Sequence, residues 1–185
     1  MATVTAGMTM SLDGFVTDEH GSVSSLWPDL AELQGTGYMD AAVEETGAVV
    51  MGRRAFEMGD PDAFVGNYEF QVPIFVITHS PPAVAPKQDE HLTFTFVTDG
   101  VESAIDQAKA AAGEKVVQVI GGASVIQQLL SLGLVDELRI DVMPVVLGGG
   151  LRLLENLDTE RFRLEKLGVE EVGARTSLGF RVVKQ

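Results

Sequence analysis

The chain contains no cysteine, which excludes disulfides, thiol nucleophiles and cysteine-ligated zinc or iron-sulfur centres. Its three histidines, His20, His79 and His91, do not stand at zinc-binding spacing, and neither His-Glu-x-x-His nor Gly-x-Ser-x-Gly occurs. Metal-hydrolase and serine-hydrolase chemistries therefore drop out, and no metal is expected. Positive charge is scarce: the net charge is -14, which repels nucleic acid and anionic membranes, so neither is an expected partner. No run approaches the roughly 18 apolar residues that cross a bilayer. The first residues lack the basic start and apolar core of a secretory signal, so a cytoplasmic location is expected.

What is present is the composition of an ordinary globular protein, 45% hydrophobic and 22% charged. Residues 1–185 read as a single domain. The charge is unevenly spread, since the first 86 residues hold twelve Asp or Glu but only two cations, the adjacent Arg53 and Arg54.

Periodicity predicts the elements. Thr3, Thr5 and Thr9 alternate with Val4, Ala6, Met8 and Met10, a strand pattern that breaks at the turn dipeptide Asp13-Gly14. Residues 38–46 read as a helix end, and the continuous apolar run Ala48-Val49-Val50-Met51 as a strand covered on both faces. Strands are predicted over residues 72–78, 92–97, 116–120 and 137–142, with alternating segments at 162–169 and 176–183 able to form a terminal hairpin. Two helices intervene, each preceded by a capping-box spacing, Asp99-x-x-Glu102 and Ser124-x-x-Gln127. Alternating strands and helices predict an α/β three-layer domain with a mixed, mostly parallel central sheet, helices on both faces and a C-terminal antiparallel hairpin.

Three predicted strand ends carry anion-compatible groups. In Val119-Ile120-Gly121-Gly122-Ala123-Ser124-Val125, two glycines lie where a buried strand hands over to a helix. Free amides and the helix dipole favour phosphate there, although a tight turn using glycine for packing fits as well. Met51-Gly52-Arg53-Arg54 offers two guanidiniums that can fork onto phosphate or pair with Glu57 and Asp60. Thr78-His79-Ser80 adds hydroxyls and an imidazole. Together they favour a ligand with several phosphates.

The chain resembles the dihydrofolate reductase-like fold family, in the branch similar to the C-terminal reductase domain of the riboflavin-biosynthesis deaminase-reductase. Four motifs in order carry the resemblance: Met10-Ser11-Leu12-Asp13-Gly14-Phe15-Val16, Val50-Met51-Gly52-Arg53-Arg54-Ala55-Phe56-Glu57, Val119-Ile120-Gly121-Gly122-Ala123-Ser124 and Pro144-Val145-Val146-Leu147-Gly148-Gly149-Gly150. The resemblance implies NADPH as cofactor, with Gly121, Gly122, Ala123, Ser124 and Val125 at its pyrophosphate. Arg53, Arg54 and Ser80 would lie near its adenosine phosphates, and the strand-end residues Gly52, Thr78 and His79 are candidates for cofactor binding beside them. It implies hydride transfer to a small heterocyclic, pterin- or pyrimidine-like, or related unsaturated substrate. Asp29, in Trp27-Pro28-Asp29-Leu30, resembles the substrate-binding carboxylate of true dihydrofolate reductases, and with Asp13 it is the candidate for catalysis as a proton donor. As alternatives, Asp29 caps a helix and Asp13 belongs to a turn. That branch commonly has Lys after Asp-Gly, where this chain has Phe15. A non-catalytic nucleotide-binding or dimeric interaction protein keeping the fold is the alternative function. A homodimer is expected under either reading, because the hairpin leaves a sheet edge to cover.

Overall fold

A computed structural model describes residues 2–185. Its elements run β1 (Val4–Ser11), β2 (Phe15–Thr17), α1 (Leu30–Leu33), α2 (Gly37–Glu45), β3 (Thr46–Gly52), α3 (Arg53–Phe56), β4 (Ile74–Ile77), β5 (Phe94–Val97), α4 (Val101–Ala112), β6 (Val116–Ile120), α5 (Ala123–Ser131), β7 (Glu137–Met143), β8 (Leu151–Arg152), β9 (Phe162–Val172) and β10 (Arg175–Lys184). Eight strands form one sheet in the order β5-β4-β3-β6-β1-β7-β10-β9. The six from β5 to β7 are parallel, and β10 and β9 close that side as an antiparallel hairpin.

The period-two pattern of the sequence sorts side chains onto the two faces. Ala48 and Val50 of β3 join Val4 and Ala6 of β1 and the apolar stripes of α4 and α5 in the larger core. Val49 and Met51 point the other way, into a second core with Phe56, Phe70, Ile74, Val76 and Phe94. The run of residues 48–51 is thus buried on both faces, as its lack of alternation predicts. The second face is covered in part by aromatic loop: α3 is one turn long, and its Phe56 packs with the loop residues Phe64, Tyr68 and Phe70 and with Phe94 and Phe96 of β5 in one cluster of rings.

The helix starts differ from the capping boxes. Gly100 and Gly122 occupy the N-cap positions of α4 and α5, and no side chain caps either helix. Ser124 falls inside the first turn of α5, two residues too late to cap it.

Beyond the sheet's carboxyl edge, the loop leaving β1 is stitched to the glycine loop before β8. The Asp13 carboxylate accepts hydrogen bonds from the amides of Leu147 (3.1 Å) and Gly148 (2.8 Å). Arg152 donates to the Asp13 carbonyl at 3.2 Å and lies over the Phe15 ring, 4.3 Å from its centroid. β2 pairs with β8 in a small separate sheet, and Gly150, at φ +126°, has no room for a Cβ because the Thr17 carbonyl oxygen stands there. The Ser11 hydroxyl and the amides of Gly148 and Leu147 hold the Asp13 carboxyl down to about 2 against a smaller desolvation effect, below the usual value of about 3.9. A depressed carboxyl stabilises the fold fully above its unfolded pKa and loses that contribution as pH falls through its folded one. Asp13→Ala should therefore melt below wild type at neutral pH, with the gap closing as pH drops from about 4 towards about 2. Thermal denaturation of both proteins across that range checks this, and a pH-independent gap would count against the carboxylate clip.

Candidate active site at the carboxyl edge of the sheet

The parallel strands all end on one edge, and their register shapes it. Gly52, Ile77 and Val97 end level with one another in β3, β4 and β5. β6 stops at Ile120, opposite Gly7 of β1, whereas β1 continues along β7 to Ser11. The edge is therefore stepped, with the free flank of Met8-Thr9-Met10-Ser11 rising beside the Gly121-Gly122 turn. The chain also leaves adjacent strands β3 and β6 in opposite directions. α3 carries Phe56 into the smaller core, and α5 carries Val125, Ile126 and Leu129 into the larger one. Ligands of open α/β sheets lie at such a divergence.

Gly121 and Gly122 sit at φ +79° and +84°. A Cβ on Gly121 would come 2.7 Å from the Ala55 Cβ, and one on Gly122 would come 3.7 Å from the Gly52 Cα. Two strand-to-helix turns are thus interlocked, so the glycines serve packing and also leave the main chain bare. The Val125 amide donates to the Gly122 carbonyl at 2.9 Å, and its side chain is buried. That leaves the amides of Ala123 and Ser124, which have no intrahelical partner in a first turn, as donors for an incoming anion.

The two arginines are not equivalent. Arg53 Nε donates to Glu57 Oε1 at 2.7 Å across one turn, both side chains being about half exposed. Arg54 is exposed, and no carboxylate lies within ion-pairing distance of it among the described residues. Thr78 is buried and spends its hydroxyl on the turn after β4, donating to the Ser80 carbonyl at 2.8 Å and accepting the Ser80 amide at 3.3 Å. His79 and Ser80 are exposed. Arg53, Phe56, Val76, Thr78, Ser80 and Phe96 line a shallow surface dent with a cavity volume of only about 10 Å³. Gly52, the arginine pair, residues 78–80 and Gly121-Gly122 are thus brought to one edge of the sheet.

Asp29 lies apart from that row, in a buried polar cluster between the sheet and the segment before α2. Its two oxygens accept Arg175 Nη2 (2.6 Å) and Nε (3.0 Å), and Arg175 Nη1 donates to Asp141 Oδ2 at 3.0 Å and Thr9 Oγ1 at 3.3 Å. The Tyr38 hydroxyl donates to Asp141 Oδ1 at 2.9 Å and lies 3.2 Å from Ser177 Oγ. Arg175 is 1% exposed, and the half-exposed Trp27 ring covers its guanidinium at 4.9 Å. The hydrogen bond and charge of Arg175 lower the Asp29 pKa despite desolvation. Burial and the Asp141 charge push the Tyr38 hydroxyl up to about 12. Asp29 occupies the N-cap position of α1, but its side chain makes no capping bond, because the guanidinium has claimed it. At neutral pH Asp13 and Asp29 are both hydrogen-bond acceptors.

Sequence reasoning missed Arg175, Asp141, Tyr38 and Thr9 as site groups. The visible trace is on β1, where Thr5, Thr9 and Ser11 form a polar face that is nevertheless buried. A strand with polar residues on a buried face needs buried polar partners.

A family model described as the RibD C-terminal domain matches residues 2–178. The uncharacterized protein YwjB of Bacillus subtilis is 30% identical over 174 residues, covering 94% of each chain. The uncharacterized protein YyaP of the same organism is 26% identical and spans 91% of this chain and 86% of its own. Among solved structures, a protein of Shewanella sp. PV-4 named for riboflavin biosynthesis superposes with a TM-score of 0.77 at 23% identity, over 100% of both chains. The riboflavin biosynthesis reductase Rib7 of Saccharomyces cerevisiae gives 0.62 at 18% identity, over 99% of this chain and 89% of that one. At these identities the structures speak for the fold, which is the dihydrofolate reductase-like fold of riboflavin-pathway reductases. The chain belongs to the family of RibD C-terminal domains.

Proposed function

We propose that the protein is an NADPH-dependent reductase that delivers hydride to a small heterocyclic, pterin- or pyrimidine-like, or related unsaturated substrate. The observation that carries this reading is the gathering of Gly52, Arg54, Ser80 and the Gly121-Gly122 turn along one stepped sheet edge. The residues present fit the cofactor. The bare main chain at residues 121–124 admits a pyrophosphate onto the first amides of α5. Arg54, exposed and without a carboxylate partner, matches an added 2'-phosphate, while Arg53 is largely spent on Glu57. NADPH supplies the hydride when bound, so the chain's own task is to orient the reactants and exclude water.

The proton is a separate matter. Asp13 and Asp29 are ionised and already hydrogen-bonded, so the reading assigns the substrate's proton to solvent water. The same observation favours a second reading, in which the fold and nucleotide site are kept for binding without turnover. Calorimetric titration with NADPH, followed by loss of cofactor absorbance across a panel of unsaturated heterocycles, separates the two. No binding below about 1 mM cofactor would sink both, and binding without oxidation of any panel member would favour the second.

Arg54→Glu should weaken NADPH at least about tenfold more than NADH, since it removes a charge-assisted contact available only to the 2'-phosphate. Equal weakening of both cofactors would overturn that assignment. For a partner, a second copy of the chain fits edge strand β9, which exposes Leu164, Leu167 and Val169 by 38%, 46% and 57%. Light scattering should then report twice the 19.8 kDa chain mass, falling to the monomer in Leu167→Lys/Val169→Lys, and a monomeric wild type would refute it.

A further inference from the structure

The four oxygens of the two buried carboxylates, Asp29 and Asp141, each have a donor within the chain. Asp29 receives Arg175 Nε and Nη2, and Asp141 receives Arg175 Nη1 and the Tyr38 hydroxyl. The Arg175–Asp29 contact is fork to fork, two parallel N-H groups on one carboxylate. An amidine edge, such as that of a protonated 2-aminopyrimidine, presents the same fork. Trp27 adds an aromatic wall over the guanidinium, the usual cover for a flat delocalised cation. Carboxylates on one side and an indole on the other make a pocket for a planar cation, and that pocket is filled by the chain itself.

We propose that Arg175 is a built-in occupant of this pocket and determines specificity by that occupancy: the wild-type protein refuses heterocycles that bind through an amidine edge. This deepens the reductase reading by naming a ring class excluded from the site. The carboxylate expected to recognise such an edge is present but engaged. Substrate is therefore held by groups other than Asp29. Removing the side chain of Arg175 leaves a cavity with the shape of a guanidinium and an uncompensated double negative charge, which selects planar cations.

The test uses 2,4-diaminopyrimidine and methylguanidinium as probes, with thermal unfolding and calorimetry on the full chain. Wild type should show neither a melting shift nor heat of binding with either probe at millimolar concentration. Arg175→Ala should melt lower, regain stability in methylguanidinium, and bind 2,4-diaminopyrimidine at least about tenfold more tightly than wild type. Adding Asp29→Asn to that variant should abolish the gain. Arg175→Lys, which restores charge without the fork, should remain responsive to methylguanidinium. If Arg175→Ala does not fold even with methylguanidinium, Arg175→Ala/Asp141→Asn, which relieves one stranded charge, takes its place in every comparison.

Two results would overturn the proposal. One is a wild-type protein that binds 2,4-diaminopyrimidine and loses it on Asp29→Asn. The other is a folded Arg175→Ala or double variant indifferent to both probes. NADPH titrated into the same wild-type samples keeps the readings apart, since failure to bind NADPH sinks the reductase assignment and leaves the occupancy of Asp29 untouched.

Discussion

One buried guanidinium organises the polar half of this molecule. Arg175, at the start of β10, reaches Asp29 before α1, Thr9 on β1 and Asp141 on β7, and through Asp141 it meets the hydroxyl of Tyr38 in α2. Three other pieces of chain are thus bound directly to a side chain of β10, and α2 is joined to them through Asp141. A buried ion pair of this kind does little for net stability compared with an apolar replacement of the same shape. Losing one partner is different, because the remaining charges are stranded and the cost is about 3–5 kcal/mol. The cluster thus fixes position more than it adds stability, and what it positions is the wall beside the free end of β1.

The other half of the edge is set by shape. β3, β4 and β5 end level, β6 ends below the tip of β1, and the exits from β3 and β6 diverge to opposite faces. Glycine is required where those exits touch, since Gly121 and Gly122 both sit at positive φ and a Cβ on Gly121 would press on Ala55. Packing and ligand access are here the same requirement: a turn tight enough to interlock with its neighbour has no side chain to shield its amides.

Much of this was legible locally. The unbroken apolar run of residues 48–51 and the alternation on β1 formed the predicted strands because burial on one or both faces decides them, whereas in the terminal hairpin β9 is largely exposed and is held by its pairing with β10. The Gly121-Gly122 turn was legible because positive φ demands glycine. The helix caps were misread, since glycine at positions 100 and 122 starts α4 and α5 without a side-chain partner. β2 and β8 are too short for any periodicity to register. Arg175 was hidden for a deeper reason. An arginine two residues past the hairpin's Gly173 reads as solvated, and its carboxylate and hydroxyl partners stand 146, 34 and 166 residues away. Only the assembled sheet brings them together. The assignment of Asp29 changed accordingly, from a carboxylate awaiting a ligand to one that already has a guanidinium.

Trp27 is the only tryptophan in the chain, and it rests on that guanidinium with 36% of its surface in solvent. The molecule therefore carries its own optical probe at its most constrained point. Indole emission responds to a cation against one face and to water on the other. Any event that tightens, loosens or covers the Arg175 cluster will be visible in the intrinsic fluorescence of the unlabelled protein.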